Sequence, residues 1–203
     1  MKKTIEEHLR ENIKVYFILS LILILGIIVG IIFVNNASTV HKEEIRSYLT
    51  DFIGQIKESR NINYVQLFQS SLKSNFKFIG ILIFISLTIF GTIGIYILIA
   101  YKGFCLGYTI SSTIAIFGVG KGTLINLSLI LLNQIILIPT IFYIALSSIK
   151  LFGELINDNR ENNRFEIIRY IIRIAASAVL ILIAALIETY INSNIFLMIV
   201  NMI

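Results

Sequence analysis

"VYFILSLILILGIIVGIIFV", residues 15–34, decides the fold class. The stretch carries no charge over 20 residues. At about 1.5 Å of rise per residue it matches the ~30 Å hydrocarbon core of a bilayer. A surface helix of a soluble protein would show a polar face at helical spacing, and this stretch has only Tyr16 and Ser20 to offer. A cleaved signal peptide is the competing reading. The run is long for a signal core, and the "NNASTV" that follows forms no small-x-small cleavage site. An uncleaved first transmembrane helix is therefore expected. Gly26 and Gly30 form a GxxxG within it, the spacing that lets a second helix approach closely.

The rest of the chain repeats this pattern. Of its 203 residues 57% are hydrophobic and 14% charged, against about 25% charged in soluble domains. The mean hydropathy is +0.87. Charges gather in short segments between apolar runs, which predicts an all-α, polytopic membrane helix bundle forming a single integral domain over residues 1–203. About five spans are expected, at 15–34, 76–100, 104–119, 123–148 and 167–188. The third, "FCLGYTISSTIAIFGVG", is short and rich in small residues, and fits either a tight span or a re-entrant element. Residues 35–75 form an extracytoplasmic amphipathic segment, and 149–166 a cytoplasmic loop. Ten Lys and Arg fall on the side of the N-terminus in this plan, Lys102 among them, and seven on the other, diluted over a long loop. This places the N-terminus in the cytoplasm and the C-terminus outside.

Several function classes lose support at once. The single Cys105 cannot form an internal disulfide. The net charge of +5 is scattered, so no nucleic-acid partner is expected, and lipid headgroups are the natural partners of these cations. No HExxH, GxSxG or Walker-type loop occurs, and the "GVGKG" at 118–122 lacks the spacing of a phosphate loop and reads as a turn between spans. His8 and His41 lie on opposite sides of the membrane in this plan. Neither enzyme activity nor a cofactor or metal is expected.

The remaining polar residues stand out against the apolar background. Asn133 and Gln134 sit within the fourth span, followed by Pro139, which removes a backbone donor and predicts a local kink. They suit helix packing, or the broken helix of a transporter site. Glu188 ends the fifth span, about 31 Å along from Ile167, at the outer edge of the hydrocarbon. It reads as an ordinary boundary glutamate, as a polar tie to Lys121 or Asn126, or as an ion-coupling group. Within 40–72, apolar residues fall mostly on one helical face, with Glu43, Glu44, Arg46 and Lys57 largely off it. With Tyr64 and Phe68 these residues form the candidate partner-docking set, on a segment that also suits simple packing on the membrane or bundle.

The order of "VGIIFVNN", "DFIGQI", "LFQSSLKSNFKFIG", "YKGFCLGYT", "NQIILIP" and "IETYI" along the chain resembles the stage II sporulation protein M family of endospore-forming bacteria. The resemblance runs over nearly the whole chain. It implies a non-enzymatic membrane scaffold for engulfment, in the mother-cell membrane at the sporulation septum. It also implies a complex with stage II sporulation proteins D and P, which cleave peptidoglycan. Gly26, Gly30, Gly103, Gly107, Asn133, Gln134, Pro139 and Glu188 would then shape the bundle, and a homo-oligomer is compatible with it. The rival class is a small transporter or the membrane subunit of one.

Overall fold

The computed structural model describes residues 2–59, 63–86, 88, 90–128, 132–156 and 160–202. Among these residues the secondary structure is helical, with no strand. The helices are α1 (Lys2–Asn35), α2 (Thr39–Ser59), α3 (Tyr64–Ser86), α4 (Gly91–Asn126), α5 (Leu132–Ile156), α6 (Arg160–Leu186) and α7 (Ser193–Met202). A π-helical turn, Ile187–Asn192, joins the last two. Four stretches are long and apolar enough to cross a membrane: Arg10–Asn35, Gly91–Asn126, Asn133–Gly153 and Ile167–Ile199.

The chain reverses where the sequence suggested continuity. Residues 76–100 were expected as one span, yet α3 ends at Ser86 and α4 begins at Gly91. Hydroxyl groups close the turn in place of a proline. Ser86 Oγ donates to the Ile83 carbonyl at 2.7 Å and Thr88 Oγ1 to that of Ile85 at 2.7 Å, while the Gly91 amide bonds to the Thr88 carbonyl at 2.9 Å. Conversely, the "YKG" expected as a break lies inside α4. Lys102, expected near the cytoplasmic end of a span, stands 11 residues into the helix, about 16 Å from its start.

The next reversal falls within the turn expected at 118–122, at Gly118. There φ is +79° and ψ 167°, a conformation nearly confined to glycine. Beyond it the chain doubles back: Asn126 hydrogen-bonds to Thr113 Oγ1 at 2.8 Å and to the Ile110 carbonyl at 3.2 Å. In α5 the backbone stays helical through Pro139, whose ring is on the exposed face, so no break appears where a kink was expected.

α1 and α4 run side by side in the same direction, and glycines set their separation. A Cβ on Gly26 or Gly30 would collide with the backbone of Ala100, Phe104 and Tyr108. One on Gly103 or Gly107 would collide with that of Leu23 and Ile27. Two GxxxG pairs thus face each other, and only hydrogen side chains allow the backbones to touch. α3 packs antiparallel to α4, and α5 antiparallel to α6. Leu19, Leu82, Ile95, Ile99, Ile144 and Ile181 are almost fully buried in one core drawn from α1 and α3–α6. Phe17, Ile24, Phe84, Ile97, Ile135 and Val179 are exposed on the outside, as a bundle that meets lipid requires.

Candidate functional site

Where an apolar bundle buries polar groups, each must find a partner, because lipid supplies none. Among the described residues such groups gather in layers. At one end, Tyr170 on α6 shares its hydroxyl with Ser148 on α5 at 2.9 Å and Ser86 on α3 at 3.4 Å. At the Gly118 turn, Thr113 and Asn126 pair as described above.

The layer with an ionisable group lies 18 residues, about 27 Å, along from Tyr170. Glu188 projects from the π turn between α3 and α5. Its Oε2 accepts from Asn133 Nδ2 at 2.5 Å and from Ser71 Oγ at 2.6 Å. Asn75 Nδ2 donates in turn to Ser71 Oγ at 3.4 Å. Three helices are tied through one oxygen. Charge-assisted hydrogen bonds of this length are roughly twice as strong as neutral ones. π turns insert an extra residue into a helix and are frequent at functional sites.

No Lys or Arg among the described residues makes an ion pair with Glu188. Lys102 on α4 lies within electrostatic reach of it, while its Nζ rests 5.6 Å from the centre of the Phe78 ring. Buried oxygens at this level lack partners within the described structure: Asn133 Oδ1, Gln134 Oε1 and Thr189 Oγ1. Asn133 is 4% exposed and Thr189 fully buried. Among the described residues no group of three or more His, Cys, Asp and Glu could hold a metal ion.

The sequence-derived candidates therefore separate. Glu188, Asn133 and the neighbouring Gln134 share one layer, and Gly26, Gly30, Gly103 and Gly107 meet at the α1–α4 crossing. Pro139 joins neither. The tie from Glu188 runs to Ser71 and Asn133 instead of the expected Lys121 or Asn126, because the doubling back at Gly118 draws Asn126 to Thr113. Ser71 was missed: only the reversal between α3 and α4 brings α3 alongside α5 and α6. Lys102 was missed as well, having been read as a loop cation.

The docking candidates also divide. α2 lies across the Gly118 end, pinned by Ile53, which packs with Ile125 and Phe196. Phe52 stacks on Phe196 with ring centres 6.1 Å apart. At its start His41 reaches Tyr108 Oη at 3.3 Å. Glu43, Glu44 and Arg46 are exposed on α2. A cavity of about 390 Å³ lies between α2 and α4, with Glu44, Tyr48, Tyr108 and Ser112 in its wall. Tyr64 instead packs within the chain, stacked on Tyr190 at 5.5 Å and donating to Asn194 Oδ1 at 2.9 Å. Phe68 is half-buried, and the side chain of Lys57 lies outside the described residues.

Together, the apolar helices, the glycine-mediated crossing and the tied carboxylate define a polytopic helical membrane protein. The family model of stage II sporulation protein M matches residues 19–193. The chain belongs to that family, and is thereby a sporulation membrane protein. No curated protein and no solved structure matches it.

Proposed function

We propose that the chain is a non-enzymatic membrane scaffold of the engulfment machinery. It holds peptidoglycan-cleaving partners, stage II sporulation proteins D and P, at the mother-cell membrane of the sporulation septum. The observation that carries this reading is helix α2. It leaves the bundle through a three-residue link after α1 and is pinned by apolar residues at Ile53. It turns outward Glu43, Glu44, Arg46, Val40 and Tyr48, the last two 69% and 72% exposed. Two aromatic or aliphatic anchors inside a ring of mixed charge suit a protein partner. With the N-terminus in the cytoplasm, α1, α4, α5 and α6 supply the apolar crossings, α3 returns the chain between α1 and α4, and α2 lies outside, on the side where wall-cleaving partners would work.

Affinity capture of the tagged full chain from sporulating cells in mild detergent, followed by mass spectrometry, tests the reading. Recovery of the two wall-cleaving partners is the expected result. Their absence from captures that retain the intact chain overturns it. A transporter is the second reading, and the Glu188 layer is the observation in its favour. Solute-dependent flux in proteoliposomes would support it.

A further inference from the structure

We infer that the Glu188 layer is a binding site for an alkali cation, formed where α3, α5 and the π turn meet. This inference stands on the bundle alone and is independent of the scaffold reading.

An ionisable side chain inside a transmembrane bundle is retained for function or for pairing, and Glu188 has no direct cationic partner among the described residues. Two hydrogen bonds, from Asn133 and Ser71, converge on a single oxygen. They fix the carboxylate in place and leave acceptors in surplus around it. Asn133 Nδ2 is bonded to Glu188, so Oδ1 of the same planar amide stands in the same cluster, buried and without a partner. Thr189, the next residue of the π turn, is fully buried and its Oγ1 is also unpartnered. Gln134 Oε1 adds a further buried acceptor beside Asn133. Each such oxygen costs about 1–3 kcal/mol if nothing meets it. A cation at the carboxylate would meet the Asn133 oxygen of the same cluster.

The donor set selects the class of ion. Carboxylate, amide and hydroxyl oxygens are hard ligands, and Cys105, the lone thiol, is not among them, so soft transition metals are disfavoured. One carboxylate does not balance a divalent ion, which usually takes several charged oxygens. A singly charged, desolvated ion fits. Lys102 acts as a competitor. Its ammonium shares the field of Glu188 yet rests on the Phe78 ring, so its charge weakens cation binding without occupying the carboxylate.

The test uses the purified full chain in detergent, with its thermal midpoint followed as NaCl replaces choline chloride at constant ionic strength and pH. A saturable rise with Na⁺ is expected. Glu188→Gln should abolish it and Thr189→Val should raise the apparent Kd several-fold. Lys102→Met should lower the Kd, an effect that a purely structural carboxylate would not produce. Where Glu188→Gln fails to fold, Thr189→Val and Lys102→Met decide. Equal midpoints in Na⁺ and choline overturn the inference, whether water or a proton meets these oxygens instead. So does a Na⁺ response unchanged in the variants. Loss of partner capture with the Na⁺ response intact would fault the scaffold reading and leave this one standing.

Discussion

At the scale of single residues, Glu188 shows how one carboxylate can organise a bundle. Ser71→Ala removes a donor from its Oε2 and is expected to lower stability by about 1–3 kcal/mol. The drop is to be read from the unfolding midpoint in detergent. Asn133→Leu should cost more, since it removes the second donor and places branched carbon against a buried carboxylate. If both variants match the wild type, these bonds do not hold the helices. Glu188 itself was visible in the sequence, because a lone acid at the end of an apolar run is conspicuous. Its partners were not. Ser71 lies 117 positions away, and serines hide easily among the many hydroxyl groups of membrane helices.

Individual helices turn on glycine in two distinct ways. At the α1–α4 crossing glycine provides thinness. Gly107→Leu places four carbons against the Ile27 backbone, and Gly30→Val three against Phe104 and Tyr108. Overpacking of this kind costs about 1–3 kcal/mol or more. An engineered cysteine pair across the crossing should then crosslink less readily than in the wild type. At Gly118 glycine provides backbone freedom instead. A Cβ there meets no neighbour, so Gly118→Ala tests conformation alone, and about 1–3 kcal/mol is expected. The Gly26–Gly30 pair was legible by spacing, and so was α1, whose apolar run is unambiguous. The reversal between α3 and α4 was not, because "SLTIFG" is as apolar as the helices it separates. Lys102 misled in the opposite sense: a cation 24 positions from Phe78 passes for a loop residue until the packing of α3 on α4 brings that ring to it.

For the molecule as a whole, α2 divides two roles. Glu43→Lys combined with Glu44→Lys should leave membrane insertion intact and reduce partner capture several-fold, as measured by recovery from membranes. Capture that survives charge reversal along all of α2 would move the docking surface elsewhere. The all-helical membrane class was legible from composition, since charge depletion on this scale leaves few alternatives. The placement of the crossings depended on the reversal between α3 and α4, which carries almost no polar signal. The parallel pairing of α1 with α4 has a final consequence, and it concerns synthesis. The α4 half of that contact emerges roughly 65 residues after α1 is complete, or ~3–13 s at ordinary elongation rates. During that interval the first helix waits in the bilayer with its glycine stripe bare. A nascent chain halted before Ala100 has only another nascent chain, or an insertion factor, to cover that stripe. The order of birth of the helices thus makes α1 the exposed surface of the unfinished protein.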